Sequence, residues 1–444
     1  MKTGEIGKKT VLAVVAVGLL LLLPPASLRA DEIGDLKEQL KVQQQMIQQL
    51  QERLAQLEAR QEIKEKALTQ KIEEVAQKAE QKPAALPDSL KWAEKVKISG
   101  DLRYRHEHID EQQPGSVRWK DGVDRHRIRA RLMLEALLND EWGLGFRIAS
   151  GSGDPVSTNQ DLEDSFSGKE IWLDLAYFDW HPASMPRLNI YGGKIKNPFY
   201  AVGKNQLIWD HDLNPEGIAA TYAKALSDRD TLHLAGGGFW VGENIAGTSR
   251  DVSLWGAQAY WKHTISNPDT LIVGASYFDY GNIKGAANLP STWSSSTSFL
   301  GNTASGGTYA SDFDIVEVFG EYATKVGSMP VSVFGDWVKN LLATTSEDTG
   351  WLVGATLNKC KDPGSWEIGY NYRDLEADAV VGALNDSDFI GGGTDGKGHV
   401  FSAAYQVHKN VQAALTYFLN QDTANSQDRE LDYHRLMADL LLKF

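Results

Sequence analysis

The sequence predicts an all-β protein, a sixteen-stranded antiparallel transmembrane β-barrel preceded by an N-terminal α-helical coiled coil. Three observations predict this fold: the hydrophobic period changes near Val96, short and long connections alternate after that point, and the N-terminus is basic and then apolar. A period of seven is typical of a coiled coil, and a period of two is typical of strands. The predicted parts are a signal peptide at 1–30, a coiled coil at 31–80, a linker at 81–95 and a barrel at 96–444.

The composition excludes several functional classes. The 444 residues carry a formal net charge of -14 and contain one cysteine, Cys360. An acidic chain is a poor match for nucleic acid, because phosphate binding requires a basic face. A single cysteine excludes a disulfide framework and a zinc site built from several thiolates. His106 and His108 share a strand face but have no evident third ligand, so we predict neither an enzyme nor a bound cofactor or metal.

Residues 1–30 have the three parts of a secretory signal peptide. Lys2, Lys8 and Lys9 precede an apolar run at 11–23, and the segment ends in the small residue Ala30. A retained N-terminal anchor is the alternative, because Leu28 is a poor residue so close to the cleavage site. In either case the pattern predicts export.

Residues 31–80 predict one amphipathic helix with an apolar seam. The seam residues alternate spacings of three and four, and they are Ile33, Leu36, Leu40, Gln43, Ile47, Leu50, Leu54 and Leu57. A single helix cannot bury such a stripe, so the pattern favours oligomerisation over a solitary solvated helix, which remains the alternative. Pro83 and Pro87 then end the helix and predict a stiff linker at 81–95.

From Val96 onward apolar and polar residues alternate, as in strands with one apolar and one polar face. Ile128 and Ala130, for example, alternate with Arg127 and Arg129. The pattern predicts sixteen strands, which lie near 96–106, 125–138, 141–150, 170–180, 187–196, 216–226, 230–241, 251–264, 268–280, 312–324, 330–340, 349–359, 364–375, 397–408, 410–420 and 431–444.

The connections between these strands alternate in length. Long gaps at 107–124 and 151–169 are followed by short ones at 139–140 and 181–186, and the alternation continues to the end of the chain. Short turns at one end and long loops at the other are typical of a transmembrane barrel. An even number of strands leaves both chain ends on the short-turn side, which is the periplasm in such a barrel.

Four arginines on one strand face help to decide between a barrel and a soluble β-sandwich, whose strands also alternate. Arg125, Arg127, Arg129 and Arg131 share one face of the second strand, with neighbours roughly 7 Å apart. Facing lipid near the midplane, each would cost about 2–4 kcal/mol. They must therefore face water or acids, and together with export and the loop pattern this favours a wet barrel interior.

Aromatic residues near the proposed strand ends predict interfacial girdles, because amphipathic rings favour the boundary between lipid and water. These residues are Trp142, Trp180, Tyr222, Trp240, Trp337, Trp351 and Trp366. The chain ends in Phe444, which is in phase with the apolar face of the last strand.

Here the chain resembles a known family. A terminal phenylalanine that closes an alternating strand resembles Gram-negative outer-membrane proteins. Three stretches resemble the "putative porin" family with an N-terminal coiled coil, and they read LDLAYFDW at 173–180, GKIKNPF at 193–199 and WDHDLNPEG at 209–217. The resemblance implies a homotrimer of sixteen-stranded porins in the cell outer membrane, with the coiled coil in the periplasm. It implies passive diffusion of small hydrophilic solutes or ions through a water-filled channel.

The resemblance also implies a site. In such porins the third long loop, here 197–215, folds into the barrel and narrows it. Its acids, Asp210 and Asp212, together with Glu216 at the start of the next strand, would face a basic wall. That wall would consist of Arg103, Arg105, Arg127, Arg129, Arg131 and Arg147, extended by Lys194 and Lys196 on the fifth strand. Opposed charges across a narrow channel set up a transverse field that favours small polar solutes.

The alternatives remain open at this point. The loop acids could serve ordinary turn chemistry, and the arginines could pair structurally with acids such as Asp101 and Glu135. An anion-selective channel for phosphate or other oxyanions would use the arginines as a relay of weak sites. A structural role would have the helix tether the outer membrane to peptidoglycan. The expected partners are outer-membrane lipid, further copies of this chain and small solutes or ions.

Overall fold

The computed structural model describes residues 88–113, 119–243, 251–289, 299–423 and 430–444, together with single positions between Glu38 and Lys71. The chain forms two units, residues 1–88 and 89–444. In the first unit every described position from Glu38 to Lys71 is helical and exposed. The signal peptide and residues 81–87 of the linker lie outside the described residues, and the heptad seam and its oligomeric state stay predictions. Among the described residues, no helix is long and apolar enough to cross a membrane.

A short 3-10 helix, Asp88–Lys95, precedes the sixteen long strands of the second unit. The strands, labelled β1–β16 in chain order, are Val96–Glu111, Val123–Leu137, Trp142–Ser150, Ile171–Trp180, Leu188–Lys194, Glu216–Ala225, Asp230–Gly242, Val252–Ser266, Asp269–Gly281, Phe313–Val326, Met329–Asn340, Thr349–Asn358, Trp366–Leu375, Gly396–His408, Val411–Asp422 and Leu431–Lys443.

Each strand pairs antiparallel with the next, and β1 pairs with β16, which closes the barrel. At this seam the backbone amides and carbonyls of Gly100 and Phe444 exchange two hydrogen bonds of 3.1 Å. The predicted sixteen-stranded antiparallel barrel is therefore confirmed, with all sixteen strands at the predicted places. Most strand ends differ by a few residues, whereas β1 continues to Glu111, beyond the predicted end at residue 106.

Long loops, labelled L1–L8, follow the odd-numbered strands and span 112–122, 151–170, 195–215, 243–251, 282–312, 341–348, 376–395 and 423–430. Two-residue turns such as 267–268 and 327–328 follow even-numbered strands. The alternation of connection lengths predicted from sequence is thus present. A short strand in L2, Gln160–Asp161, pairs with β2, and a small hairpin in L5 joins Ala304–Ser305 to Thr308–Tyr309.

The outer face of the barrel is apolar, as the alternation predicted. Leu102, Leu132 and Leu440 are 46%, 42% and 43% exposed. Of the predicted girdle residues, Trp142, Trp240, Trp337 and Trp351 are exposed, and Trp142 stacks on Trp180 with ring centroids 5.8 Å apart. An exposed apolar belt on a closed barrel is the surface that hydrocarbon requires.

The inner face differs from the expectation of a uniformly polar wall. Apolar residues of β8–β12 point inward and pack against L3, L5 and L7 in one buried cluster, which includes Phe278, Phe313, Ile315, Phe319, Phe334, Val338, Val202, Leu207, Ile283, Val380 and Val381. The reason is that loops folded into the lumen need an apolar wall to bury their own side chains. The loops therefore fill the lumen next to the middle strands, and the arginines line the opposite side.

Candidate functional site

The strand register brings the predicted arginines together on the inner face of β1 and β2. Arg103 lies opposite Arg129, and Arg105 lies opposite Arg127. Their sequence neighbours, such as Leu102, are exposed on the outer face. We call the inward arginines of β1 and β2 the arginine ladder, namely Arg103, Arg105, Arg125, Arg127, Arg129 and Arg131.

Carboxylates neutralise most of this ladder. Asp101 accepts hydrogen bonds from Arg129 at 2.9 Å and from Arg131 at 2.7 Å. Asp439 of β16 accepts from Arg105 at 2.7 Å. Structural pairing with Asp101, one of the alternatives left open by the sequence, is therefore present.

Glu107 is the central acid of the ladder. Its carboxylate is 0% exposed and accepts hydrogen bonds from Arg125 at 2.5 Å and from Arg435 of β16 at 2.9 Å. Arg105 also lies 3.4 Å from it. A buried carboxylate shared by several guanidinium groups ties β1, β2 and β16 together at the closing seam.

The other predicted basic residues lie apart from the ladder. Arg147 pairs with Asp174, and Lys194 pairs with Glu216 at 2.8 Å. Strand β5 ends at Lys194, so the prediction that Lys196 lies on the fifth strand is wrong. Lys196 is an exposed residue of L3, because Pro198 cannot donate to a strand ladder and the chain turns into the lumen.

Loop L3 crosses the lumen from one wall to the other. On the far wall, Glu321 of β10 accepts hydrogen bonds from the Tyr200 hydroxyl at 2.9 Å and from the Gly203 amide at 3.1 Å. The Asn205 amide nitrogen donates to Asp336 of β11 at 2.8 Å. These three bonds hold the tip of L3 against the wall that lies away from the arginine ladder.

At its other end L3 contacts the ladder directly. Asp212 accepts from Arg131 at 3.3 Å and lies 3.8 Å from Arg129. The backbone amide of Thr158 in L2 donates to the same carboxylate at 3.1 Å. Of the predicted loop acids, Asp212 meets the ladder as an ion pair rather than across a water gap, and Glu216 pairs with Lys194 instead.

Loop L7 is a second element inside the lumen, and no sequence pattern predicted its position there. Asp388 lies 2.8 Å from Arg435 and 3.4 Å from Arg105. The amide of Ser387 donates to Asp210 at 2.9 Å, so this predicted site residue joins L3 to L7 and does not contact the ladder. Loops L2, L3 and L7 are thus mutually bonded above the ladder.

A cavity of about 400 Å³ remains beside L3. Its lining includes Arg131, Arg147, Lys196 and Lys204 together with aromatic rings such as Trp209. Lys196 and Lys204 are exposed and form no ion pair with any described residue. The cavity therefore carries an excess of positive charge and a polar path along the loop.

A metal centre is not present in the part of the chain that the structure describes, where no group of three or more His, Cys, Asp or Glu side chains could hold an ion. Neither His106 nor His108 gains a third ligand. They lie on the outer face of β1, where His108 contacts Asp110 and Asp124.

The loop acids that meet arginines are expected to keep L3 and L7 in place under mild acid. Burial opposes their ionisation, yet Arg129 and Arg131 lower the pKa of Asp212, and Arg435 and Arg105 lower the pKa of Asp388. A carboxyl with a depressed folded-state pKa contributes stability above its unfolded pKa, near 3.9, and loses it as the pH falls through the folded value.

Protection of L3 and L7 from hydrogen exchange, corrected for the intrinsic rate, should therefore be the same at pH 7 and pH 4.5. In an Asp388→Asn variant, L7 should be less protected at both pH values. A loss of protection in the unmodified chain between these pH values would contradict the assignment.

The comparisons with known proteins are consistent with this architecture. A family model described as "Putative porin" matches residues 111–312 and 309–444. The chain belongs to this porin family. No curated protein matches the chain significantly.

Solved structures are also similar to this porin. A high-pH structure of OprB from Pseudomonas putida is 13% identical, with a TM-score of 0.53, and the match covers 79% of this chain and 95% of that one. A triple mutant of the Rhodopseudomonas blastica porin is 12% identical, with a TM-score of 0.43 and coverage of 79% and 100%. A loop deletion mutant of OmpT from Vibrio cholerae is 12% identical, with a TM-score of 0.43, and the match covers 78% of this chain and 98% of that one.

Several residues of the porin's lumen were missed by sequence reasoning. Glu107 and Asp439 share the phase of the inner face on β1 and β16, so period-two alternation could have found them. Asp388 and the L3 anchor Asn205 lie in loops without periodicity, and no sequence signal pointed to them.

Proposed function

We propose that this porin is an outer-membrane channel for the passive diffusion of small hydrophilic solutes or ions. The single observation that supports it most is the course of L3, which runs from Glu321 and Asp336 across the lumen to Arg131. A loop held at both walls narrows the lumen, and it sets charged groups along the path. Charged groups in a narrow passage favour small polar solutes over apolar ones.

The export signal and the coiled coil complete this proposal. The signal peptide directs the chain to the outer membrane, and the coil lies in the periplasm and joins three copies into a trimer. The outer face of β1 and β2 supports self-association, because His106 and His126 place polar rings 4.8 Å apart on the same face as exposed apolar side chains such as Leu102 and Leu132. Packing against another copy would keep these rings out of hydrocarbon.

Reconstitution of the full mature chain in a planar bilayer tests the channel. We expect discrete conductance steps, grouped in threes if the channel opens as a trimer, because each barrel contributes one narrowed passage. A correctly folded chain that stays silent over a wide range of voltage and protein concentration would refute the proposal.

A preference for anions is a second candidate, favoured by the unpaired Lys196 and Lys204 beside L3. Reversal potentials in a salt gradient should show anion selectivity in the unmodified channel. The double variant Lys196→Glu and Lys204→Glu should shift the reversal potential toward cations, because it replaces two positive charges in the passage with negative ones. The matched double exchange Lys359→Glu and Lys361→Glu, at exposed residues of a short turn, should leave selectivity unchanged. Equal shifts of the reversal potential in both variants would show that the L3 lysines do not lie along the ion path.

A further inference from the structure

One arginine of the ladder differs from the others in having no counter-charge. Of the inward arginines on β1, β2, β3 and β16, all but one form an ion pair of 2.9 Å or less, namely Arg105, Arg125, Arg127, Arg129, Arg131, Arg147 and Arg435. Arg103 forms no ion pair with any residue that the structure describes, although it stands in the middle of the ladder.

The donors of Arg103 are also incompletely used. Its Nη2 donates to the side-chain oxygen of Asn159 in L2 at 2.6 Å. Its Nε is buried and has no partner. Buried polar groups are normally hydrogen-bonded, and a buried charge is normally paired, so each exception requires an explanation.

The surroundings of Arg103 are cationic. Arg129 lies directly opposite on β2, and Arg105 follows two residues along the same face of β1, roughly 7 Å away. The acids that act on Arg103, Asp439 and Asp212, are already engaged, because Asp439 pairs with Arg105, and Asp212 pairs with Arg131.

The balance of charge leads to the same residue. The eight inward arginines of these strands share seven ion-paired carboxylates, which are Asp101, Glu107, Asp161, Asp174, Asp212, Asp388 and Asp439. One positive charge is left over, and the contacts place it on Arg103.

We propose that Arg103 binds an oxyanion group, a carboxylate or a phosphate, of a small solute in the lumen. A guanidinium is a planar fork of donors that matches the oxygens of carboxylate and phosphate, and its hydrogen bonds to them are charge-assisted. The flanking arginines attract the anion, and Asn159 orients the fork. This proposal rests on the proposed channel function for its role in transport. It adds the class of solute that binds in the lumen.

The binding test does not depend on conductance. Sodium phosphate and sodium acetate are titrated separately, by calorimetry in chloride buffer, into the folded full chain in detergent. We expect saturable binding of at least one of them, weakened at least tenfold in Arg103→Gln and weakened less in Arg103→Lys, which keeps the charge but loses the fork. The charge-matched control Lys361→Gln, at an exposed residue of a short turn away from the ladder and L3, should bind as the unmodified chain does.

Two results would overturn the inference: binding that is unchanged in Arg103→Gln, or no binding of either anion to the unmodified chain. The phosphate and acetate arms show which oxyanion is bound. Circular dichroism of Arg103→Gln confirms that the barrel is formed before the titration is interpreted.

A bilayer measurement separates this inference from the channel proposal. Added phosphate or acetate should reduce the single-channel chloride current in the unmodified chain and not in Arg103→Gln. A silent chain that still binds the anion would refute the channel and leave the site. A conducting chain that binds neither anion would refute the site alone.

Discussion

Replacement of Glu107 by alanine is expected to destabilise the barrel by about 3–5 kcal/mol, because it removes a fully buried carboxylate that balances the charges of Arg125 and Arg435. Glu107 is 0% exposed and bonds to Arg125 and Arg435, both of which point into the lumen. Arg435 is itself 2% exposed, so water cannot replace the lost carboxylate. Equilibrium unfolding in urea, with the chain in detergent, measures the loss.

Glu111 provides the matched control for this prediction. It lies on the same strand and pairs with Lys120, but both side chains are more than 40% exposed. An exposed ion pair contributes about 0–1 kcal/mol, so Glu111→Ala should change the unfolding midpoint little. Equal losses in Glu107→Ala and Glu111→Ala would show that the buried network does not hold the barrel closed.

Release of the L3 tip should give the largest change in conductance. The double variant Asn205→Ala and Glu321→Ala removes three hydrogen bonds that hold the tip to the far wall. Each bond to a charged group contributes about 1.5–3 kcal/mol, which is enough to let the tip leave the wall. Single-channel recordings should then show larger and noisier open states than those of the unmodified chain.

A control variant for L3 lies at the opposite end of the barrel. Ser266→Ala also removes a hydrogen bond to a carboxylate, that of Asp269, but at a two-residue turn. Its conductance should equal that of the unmodified chain. If the L3 variant also conducts normally, the tip of L3 does not limit the passage.

The strands could be predicted from the sequence because period-two alternation follows directly from strand geometry. The outer face was predictable for the same reason, because lipid requires apolar side chains along the whole outer face of the barrel. The inner face was not, because its polarity depends on what fills the lumen. The apolar side chains of Phe313 and Phe334 point inward because loops pack against them there. The sequences of L5 and L7 have no periodic pattern from which this packing could be predicted.

The site was predictable in part. The phase of β2 placed Arg127, Arg129 and Arg131 on one inner face, and the phase of β1 placed Asp101 on the same side. Which arginine pairs with which acid depends on strand register and on loop acids such as Asp388, and neither can be read from one sequence. The unpaired state of Arg103 therefore became visible only once the contacts were known.

The proposed channel requires that small solutes pass through the part of the lumen that L3 narrows beside the arginine ladder. Its most direct test replaces Cys360 by serine, introduces Asn159→Cys beside the ladder, and applies a small charged methanethiosulfonate reagent to single open channels. We expect a stepwise fall in current on modification of this cysteine. A matched cysteine introduced at the outward-facing Leu440 should leave the current unchanged. Modification at residue 159 that leaves the current unchanged, or equal effects at both positions, would contradict it.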